Sequence, residues 1–395
     1  MKILMLTPYL PYPLMSGGQT RSFNLIKNLS KKHEITLFSL IKDEEEKDNI
    51  PELLKYCKKV SVFNRSQSPW TLRNILLTGF GRYPFLVIRN LSSEEKEAIK
   101  KELSEEKYDL IHAETFYVMP HIPKTSIPIL LVEQTIEYLV YNHFVEKQVS
   151  KILRPLLRLD VLKLKYWETH FWKQAKKVVA MSDSDREEMK KLSPGLSIDI
   201  VPNGIDINYF SKKEKKEGTF KKVLYVGNFN WLQNTEAVKI LVNAVWPKIK
   251  KSVDGAKLWI VGTHMSDDIR QLASDDIEVS EGLKDIRDAY KNASVLVAPI
   301  KGPGGTRLKI LEAMASALPV VTTSVGAEGL GVSDNNEALI KDNLNNLIEA
   351  AVRILKDNNL ATKLGEKGKD FVEKNYTWDK SADKLDNIYK EVYGR

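Results

Sequence analysis

The chain has 395 residues, 43% of them hydrophobic and 28% charged, so it holds enough apolar material for about two or three domains and shows no sign of bulk disorder. The single cysteine, Cys57, excludes internal disulfides and cysteine-based zinc sites, and no run approaches the roughly 18 apolar residues that span a bilayer, so we expect a cytoplasmic protein. The net charge of +8 is compatible with nucleic acid, an anionic membrane or phosphorylated ligands.

Short apolar runs alternate with helical patterns, which predicts parallel sheets covered by helices on both faces. In the first half we expect strands at 2–7, 33–40, 58–63, 109–113 and 128–133 and a helix near 19–32. A second series has expected strands at 222–227, 256–262, 277–280, 294–299 and 318–323 and a helix near 234–251. The sequence therefore predicts two doubly wound α/β domains, a linker at 201–220 and a final amphipathic helix after 376.

Two stretches carry an unusual mixture of apolar and basic residues. Residues 145–177 contain nine Lys or Arg against three Asp or Glu, interleaved with leucine and aromatic residues at helical spacing. Either this stretch rests on anionic lipid head groups, or it is a connecting helix whose apolar side packs on its own domain. Residues 68–90 have arginine as their only charged residue type, and they form either an exposed acceptor or membrane-facing loop or a buried helix.

The stretch "PIKGPGGTRLKILEAMASALPVV", residues 299–321, runs from a glycine cluster into an amphipathic helical pattern. A glycine-rich turn before a helix suggests phosphate binding, because the amides and the dipole of a helix N-terminus attract anions. The spacing fits neither a P-loop nor the dinucleotide fingerprint. With Thr306 as N-cap, Lys309 and Glu312 share the polar side of this helix.

These two side chains suit the two halves of a nucleoside diphosphate. Lys309, one turn into the helix, can neutralise a diphosphate, while Glu312, one turn further on, can accept hydrogen bonds from the ribose hydroxyls. The alternative is an ordinary surface ion pair between residues three positions apart.

Seven segments, taken in order, resemble the family 4 glycosyltransferases of the GT-B fold; among them are "IVPNGIDINYF", "LYVGNFNWLQNTEAV" and "GGTRLKILEAMASALPVVTT". The resemblance covers nearly the whole chain. It implies two Rossmann-like domains that face each other across a cleft, with an acceptor-binding domain at 1–203 and a nucleotide-sugar-binding domain at 204–376. It also implies that 377–395 returns to the first domain and that transfer retains the anomeric configuration.

The resemblance assigns roles on the donor side. Glu312 matches the second glutamate of the family's E-x7-E motif, which contacts the donor ribose, and Gly304 stands where the first glutamate would contact the sugar. Lys309 matches a lysine that contacts the diphosphate in relatives without the first glutamate. The further donor-side candidates are Gly227, Asn228, Asn234, Gly305, Thr306 and Arg307.

On the acceptor side, Gly17 and Gly18 match a glycine loop, although a glycine pair also makes an ordinary turn. Arg21 either pairs with an anionic acceptor or lies in solvent. His112 matches a strand-end histidine that positions the transferred sugar, and it is assigned as catalytic together with Lys309 and Glu312; packing is the alternative. The remaining candidates are Glu114, which replaces a second histidine, and Glu133 and Glu137, which follow the next strand.

We expect neither a metal nor a cofactor. The Asp-x-Asp at 183–185 follows Ser182 and reads as the capped start of a helix, not as a metal site. The expected partners are a nucleotide-sugar donor, a glycan or lipid-linked acceptor and an anionic membrane surface at the inner face of the cell membrane. No motif for reading nucleic acid accompanies the positive charge. A nucleotide-sugar epimerase of the same fold and a non-catalytic nucleotide-binding scaffold stay open as alternatives.

Overall fold

The computed structural model describes residues 1–68, 70–211, 221–302 and 307–394. The chain separates into two compact units. The first comprises Met1–Pro202 together with the C-terminal stretch from Trp378, and the second comprises Asn203–Thr377. Within the described residues, no helix is long and apolar enough to cross a membrane.

The first unit contains a seven-stranded parallel sheet in the order β3-β2-β1-β4-β5-β6-β7. Its strands are β1 Lys2–Thr7, β2 Glu34–Ile41, β3 Lys59–Asn64, β4 Leu110–Glu114, β5 Ile129–Val132, β6 Lys177–Ala180 and β7 Ile198–Ile200. In register, Met5 of β1 lies between Leu37 of β2 and His112 of β4. The central strands read as nearly continuous apolar runs because helices cover both faces of the sheet.

Helices of the first unit connect these strands. They are α1 Gly17–Leu29, α2 Ile50–Leu53, α3 Leu72–Phe80, α4 Phe85–Ile88, α5 Ser93–Glu105, α6 Glu137–Gln148, α7 Arg154–Gln174 and α8 Asp183–Leu192. Ser182 caps α8 by accepting a hydrogen bond from the backbone N–H of Asp185, as the sequence predicts.

The second unit contains a six-stranded sheet in the order β10-β9-β8-β11-β12-β13. Its strands are β8 Lys222–Asn228, β9 Lys257–Thr263, β10 Ile277–Glu281, β11 Val295–Ala298, β12 Val320–Thr322 and β13 Leu339–Ile340. Its helices are α9 Ile207–Ser211, α10 Leu232–Ile240, α11 Trp246–Ser252, α12 Asp267–Arg270, α13 Arg287–Lys291, α14 Leu308–Ala315, α15 Ser324–Ala327, α16 Leu344–Lys356 and α17 Asn358–Asn375. All pairings between these strands are parallel.

A last helix, α18 Trp378–Tyr393, packs on the first unit although it follows the second unit in the chain. Its buried side chains join the apolar core formed by β1, β2 and α1; they are Trp378, Ala382, Leu385, Ile388, Tyr389 and Val392. A buried polar contact accompanies this packing, because His33 Nε2 lies 2.9 Å from Asp386 Oδ1. The α/β fold with two Rossmann-like sheets and a C-terminal helix on the first unit is therefore confirmed.

Local details differ from the sequence prediction. The expected continuous helix at 145–177 is broken, since α6 ends at Gln148 and α7 starts at Arg154, with Pro155 in its first turn. Proline favours a helix start because it has no N–H to leave without a partner. The expected helix at 234–251 contains a π-helical turn at Leu241–Val245 between α10 and α11.

We expect Leu385→Ala to lower the free energy of unfolding of the first unit by about 2–5 kcal/mol, because it leaves a cavity in a tightly packed core. Leu385 is fully buried. Urea denaturation followed by hydrogen exchange measures this loss separately for the two units. Lys384→Ala, at the exposed neighbouring position, is the control, and equal protection loss in both units would contradict the assignment of α18 to the first unit.

Candidate functional site

In the second unit, a polar cluster lies where β8 ends and α10 begins. Asn234 of α10 donates from Nδ2 to the backbone oxygen of Asn228 at 2.6 Å, and its Oδ1 accepts from the Tyr225 hydroxyl at 3.0 Å. Gly227 makes this contact possible, since a Cβ there would lie 3.0 Å from Cγ of Asn234. The predicted donor-side residues Gly227, Asn228 and Asn234 are thus brought together.

Lys309 joins the same cluster from the first turn of α14. Its Nζ donates to Asn234 Oδ1 at 2.5 Å and to the Tyr225 hydroxyl at 3.1 Å, and it lies 4.4 Å from the centre of the Tyr225 ring. An ammonium has three N–H donors. The two hydrogen bonds to described residues leave one donor for a ligand.

The electrostatic environment of Lys309 favours its neutral form more than water does. Burial and, to a smaller extent, the positive charge of Arg307 lower the pKa of Lys309 from 10.5 to about 7, although the charge of Glu312 partly offsets both effects. Arg307 is itself buried and donates from Nη2 to the backbone oxygen of Gly302 at 2.8 Å. An anion placed beside Lys309 would restore the charged ammonium.

Glu312 has a different partner from Lys309. Its Oε2 accepts a 2.6 Å hydrogen bond from the hydroxyl of Tyr290, a fully buried residue of α13. Burial raises the pKa of Glu312, while the Tyr290 hydrogen bond and the charge of Lys309 act in the opposite direction. Lys309 and Glu312 therefore do not form a solvated surface ion pair, because each side chain is half-buried and is held by its own tyrosine.

Sequence reasoning missed both tyrosines. Tyr225 stands in the apolar run "KVLYVG" and Tyr290 in "RDAYK", and both are fully buried. A buried tyrosine hydroxyl usually finds a hydrogen-bond partner, so a tyrosine inside a core strand was the available signal. Gly304, Gly305 and Thr306, which the sequence analysis places in the glycine loop, lie outside the described residues.

In the first unit, a buried network surrounds the carboxyl end of β4. Glu114 accepts from Gln134 Nε2 at 2.7 Å, lies 2.7 Å from His112 Nε2 and is 3.4 Å from Nε of Arg21. The other ring nitrogen of His112, Nδ1, lies 2.5 Å from the hydroxyl of Tyr389. The side chains of Arg21, His112 and Glu114 are fully buried.

This network holds the imidazole of His112 from both sides. Both of its ring nitrogens are engaged, one by Glu114 and one by Tyr389 of α18. Burial alone would raise the pKa of Glu114, but the hydrogen bond and charge of His112 and the charge of Arg21 hold that pKa below its usual value. A direct contact between His112 and a sugar stays a prediction.

The predicted glycine loop begins α1 beside this network. Ser16 caps the helix, Gly17 is its first residue, and Gly18 faces β5 and the loop after β1. A Cβ on Gly18 would lie 2.6 Å from Gln134 Oε1 and 2.7 Å from the Tyr9 hydroxyl. Only glycine allows this close approach without moving those side chains.

Glu133 and Glu137 belong to a separate group of carboxyls. Glu133 accepts from Trp172 Nε1 at 2.9 Å, and the N–H of Glu137 donates to Glu168 of α7 at 2.7 Å. Burial raises the pKa of Glu137 to about 7 and that of Glu168 to about 8. Burial and the charge of Glu168 also raise the pKa of Glu133. The contacts of Glu168 hold the start of α6 on α7, and the contact of Glu133 holds the end of β5 on α7.

No metal site is evident among the described residues, where no three His, Cys, Asp or Glu side chains are grouped so that they could hold an ion.

Two family models match this sequence and together span most of it. "Glycosyltransferase Family 4" matches residues 15–209, and "Glycosyl transferases group 1" matches residues 220–357. The chain is 23% identical over 99% of its length, and 99% of the other, to an "Uncharacterized 44.6 kDa protein in cps region" of Klebsiella pneumoniae. It is 26% identical to a GDP-mannose-dependent alpha-(1-6)-phosphatidylinositol monomannoside mannosyltransferase of Mycobacterium tuberculosis, over 49% of this chain and 55% of that one.

Solved structures share the fold at low sequence identity. Sucrose-phosphate synthase from Thermosynechococcus elongatus has a TM-score of 0.75 at 18% identity and covers 100% of this chain and 99% of its own. HepE from Anabaena, solved in complex with UDP and glucose, has a TM-score of 0.68 at 14% identity and covers 99% of this chain and 100% of its own.

The pKa of Lys309 predicts pH-dependent anion binding. A lysine whose pKa is about 7 carries its full charge only below that pH, so we expect the affinity for inorganic pyrophosphate to fall as the pH rises through about 7. Calorimetric titration across this range measures the change. Relative to the unchanged chain, Lys309→Met should weaken binding at low pH and lose the fall in affinity that deprotonation of Lys309 causes, whereas Lys239→Met, at an exposed position of α10, should bind like the unchanged chain.

Proposed function

The chain belongs to glycosyltransferase family 4, whose members are hexosyltransferase-type enzymes, and we propose that it transfers a sugar from a nucleoside diphosphate sugar to a hydroxyl of a glycan or lipid-linked acceptor, retaining the anomeric configuration. The observation that carries this proposal is the separate support of Lys309 and Glu312. One cation and one carboxylate, three positions apart on α14, are each held by a buried tyrosine.

This arrangement suits the two halves of a nucleoside diphosphate. The remaining N–H of Lys309 can donate to a phosphate oxygen, and Arg307 adds positive charge nearby. Glu312 has its second oxygen, Oε1, for the vicinal hydroxyls of a ribose, since its Oε2 is held by Tyr290. HepE, which shares the fold, was solved with UDP and glucose, and this supports a nucleotide-sugar donor for the present chain.

During transfer, the bond between the anomeric carbon and the diphosphate oxygen breaks, and a bond from the acceptor oxygen to that carbon forms. Negative charge grows on the departing diphosphate, and we assign Lys309 to stabilise this charge. The acceptor hydroxyl gives up its proton, and we assign the leaving phosphate oxygen as its recipient. No residue of the chain then needs to act as a nucleophile.

We place the acceptor on the first unit. The network of Arg21, His112 and Glu114 forms a rigid support at the carboxyl edge of its sheet, where ligands of open α/β sheets bind. The relative in M. tuberculosis acts on a phosphatidylinositol mannoside, and the K. pneumoniae relative comes from a cps region. These relatives support a lipid-linked or glycan acceptor, with polysaccharide or glycolipid assembly at the inner face of the cell membrane as the setting.

The donor proposal is tested by thermal stabilisation with a panel of UDP-, GDP- and ADP-sugars. A ligand that binds the folded state raises the melting temperature, so one base should stand out. We expect Lys309→Ala and Glu312→Ala each to weaken binding of that nucleotide by about tenfold or more, since each removes a charge-assisted hydrogen bond. Glu349→Ala, at an exposed position of α16, is the matched control.

The products then separate the proposal from its alternatives. Sugar transfer or slow donor hydrolysis supports a glycosyltransferase, whereas formation of an epimer without acceptor would indicate a nucleotide-sugar epimerase. Nucleotide binding with no turnover of any donor would indicate a non-catalytic scaffold. Unchanged nucleotide affinity in both variants would remove the donor site from α14.

A further inference from the structure

Helix α7 has apolar residues on two opposite sides. One side packs in the core of the first unit through Leu164, Trp167, Phe171 and Trp172. The opposite side exposes large apolar side chains to solvent, with exposed fractions of 64% at Leu156, 60% at Leu159, 62% at Leu162 and 60% at Tyr166. Ile152, just before the helix, is 89% exposed. The packing alternative for 145–177 therefore holds for the buried side of α7, whereas contact of its outward leucines with lipid stays a prediction.

The neighbouring helix α3 carries a similar exposed set. Its exposed apolar side chains are Leu72, Ile75, Leu76, Leu77 and Phe80, with Phe80 91% exposed. Nζ of Lys163 holds α3 against α7 by donating to the backbone oxygens of Thr78 at 2.6 Å and Gly81 at 2.9 Å. These carbonyls belong to the last turn of α3 and its C-cap, where a cation is favourable.

Polar side chains of α7 are used inwardly at this junction. Asp160 accepts from the N–H of Phe85 at the start of α4, and Trp167 donates from Nε1 to the backbone oxygen of Arg82 at 2.6 Å. These polar groups of α7 contact their own unit, whereas its outer side carries exposed leucines. We call the outward residues of 152–166 and 72–80 the apolar face.

The charges around the apolar face are mostly positive. Exposed basic side chains occur on or next to the two helices; they are Arg73, Arg82, Lys151, Arg158 and Lys165. Within residues 145–177, Glu146 is the one acidic side chain that is not buried, and it is paired with Arg154 and Arg158. Large apolar side chains exposed together on two neighbouring helices mark an interaction site.

We propose that the apolar face docks on the surface of an anionic lipid bilayer, with the leucines entering the head-group region and the flanking Lys and Arg side chains contacting lipid phosphates. Burial of the exposed leucines favours binding, and basic residues near an anionic surface add electrostatic attraction. A second copy of the chain is a poorer occupant. In a two-fold dimer the same patch meets itself, so the basic residues would face one another. This inference rests on the lipid-linked form of the proposed acceptor.

The test is co-sedimentation of the full chain with vesicles of phosphatidylcholine, with and without phosphatidylglycerol. We expect binding only to the vesicles that contain phosphatidylglycerol, and weaker binding at high salt. Leu159→Glu combined with Leu162→Glu should lower the partition coefficient at least about tenfold. Leu54→Glu, at a position 49% exposed outside the apolar face, is the matched control and should bind like the unchanged chain.

A second variant and a second measurement keep the outcomes distinct. Lys151→Gln with Lys165→Gln should weaken binding to phosphatidylglycerol vesicles without changing nucleotide-induced stabilisation, which reports on the second unit. Failure of the unchanged chain to bind these vesicles, or equal loss in Leu54→Glu, would overturn the inference. A concentration-dependent dimer in sedimentation velocity that the Leu159→Glu/Leu162→Glu variant abolishes, without lipid binding, would identify a second copy as the occupant. Loss of nucleotide binding in Lys309→Ala with vesicle binding intact would leave this inference independent of the donor site.

Discussion

Every strand of a parallel sheet ends at the same edge, and this constraint decides where the chemistry of both units is concentrated. In the first unit, β4 ends at Glu114 and is paired in register with β5, so Gln134 just beyond β5 can reach Glu114. In the second unit, β8 ends at Asn228, and α10 returns Asn234 to that backbone oxygen. Side chains that are distant in sequence become neighbours because the strands before them run parallel.

The carboxyl edges of the two parallel sheets differ in their electrostatics. In the first unit, the carboxylate of Glu114 faces both an imidazole and a guanidinium, so negative charge is balanced inside the protein. In the second unit, the ammonium of Lys309 is held by neutral groups, the amide oxygen of Asn234 and the ring and hydroxyl of Tyr225. The first edge therefore balances its charges internally, whereas burial lowers the pKa of Lys309 at the second edge, and an anionic ligand beside it would restore the charged ammonium.

The sequence predicts the architecture well because alternating apolar runs and helical periodicity are local signals. It also places Lys309 and Glu312 on one helix side, since three-residue spacing is sufficient for that. It misses β6, β7 and β13, which have four, three and two residues and so leave little periodicity to detect. It cannot supply Tyr225, Tyr290 or Tyr389 as partners, because each meets its polar neighbour only through tertiary packing. The outward leucines of α7 are hidden for a related reason: a helix with apolar residues on both sides does not reveal which side is buried.

Helix α18 makes the first unit discontinuous in the chain, with the whole second unit inserted between its two parts. During synthesis the second unit therefore leaves the ribosome as an uninterrupted segment and can complete its core first. Most of the first unit is made earlier, but its core is complete only after Leu385 packs into it and Tyr389 reaches His112. The partner of His112 Nδ1 thus follows the whole second unit in the chain, so a chain that stops short of α18 lacks the finished network around His112 while its second unit is complete.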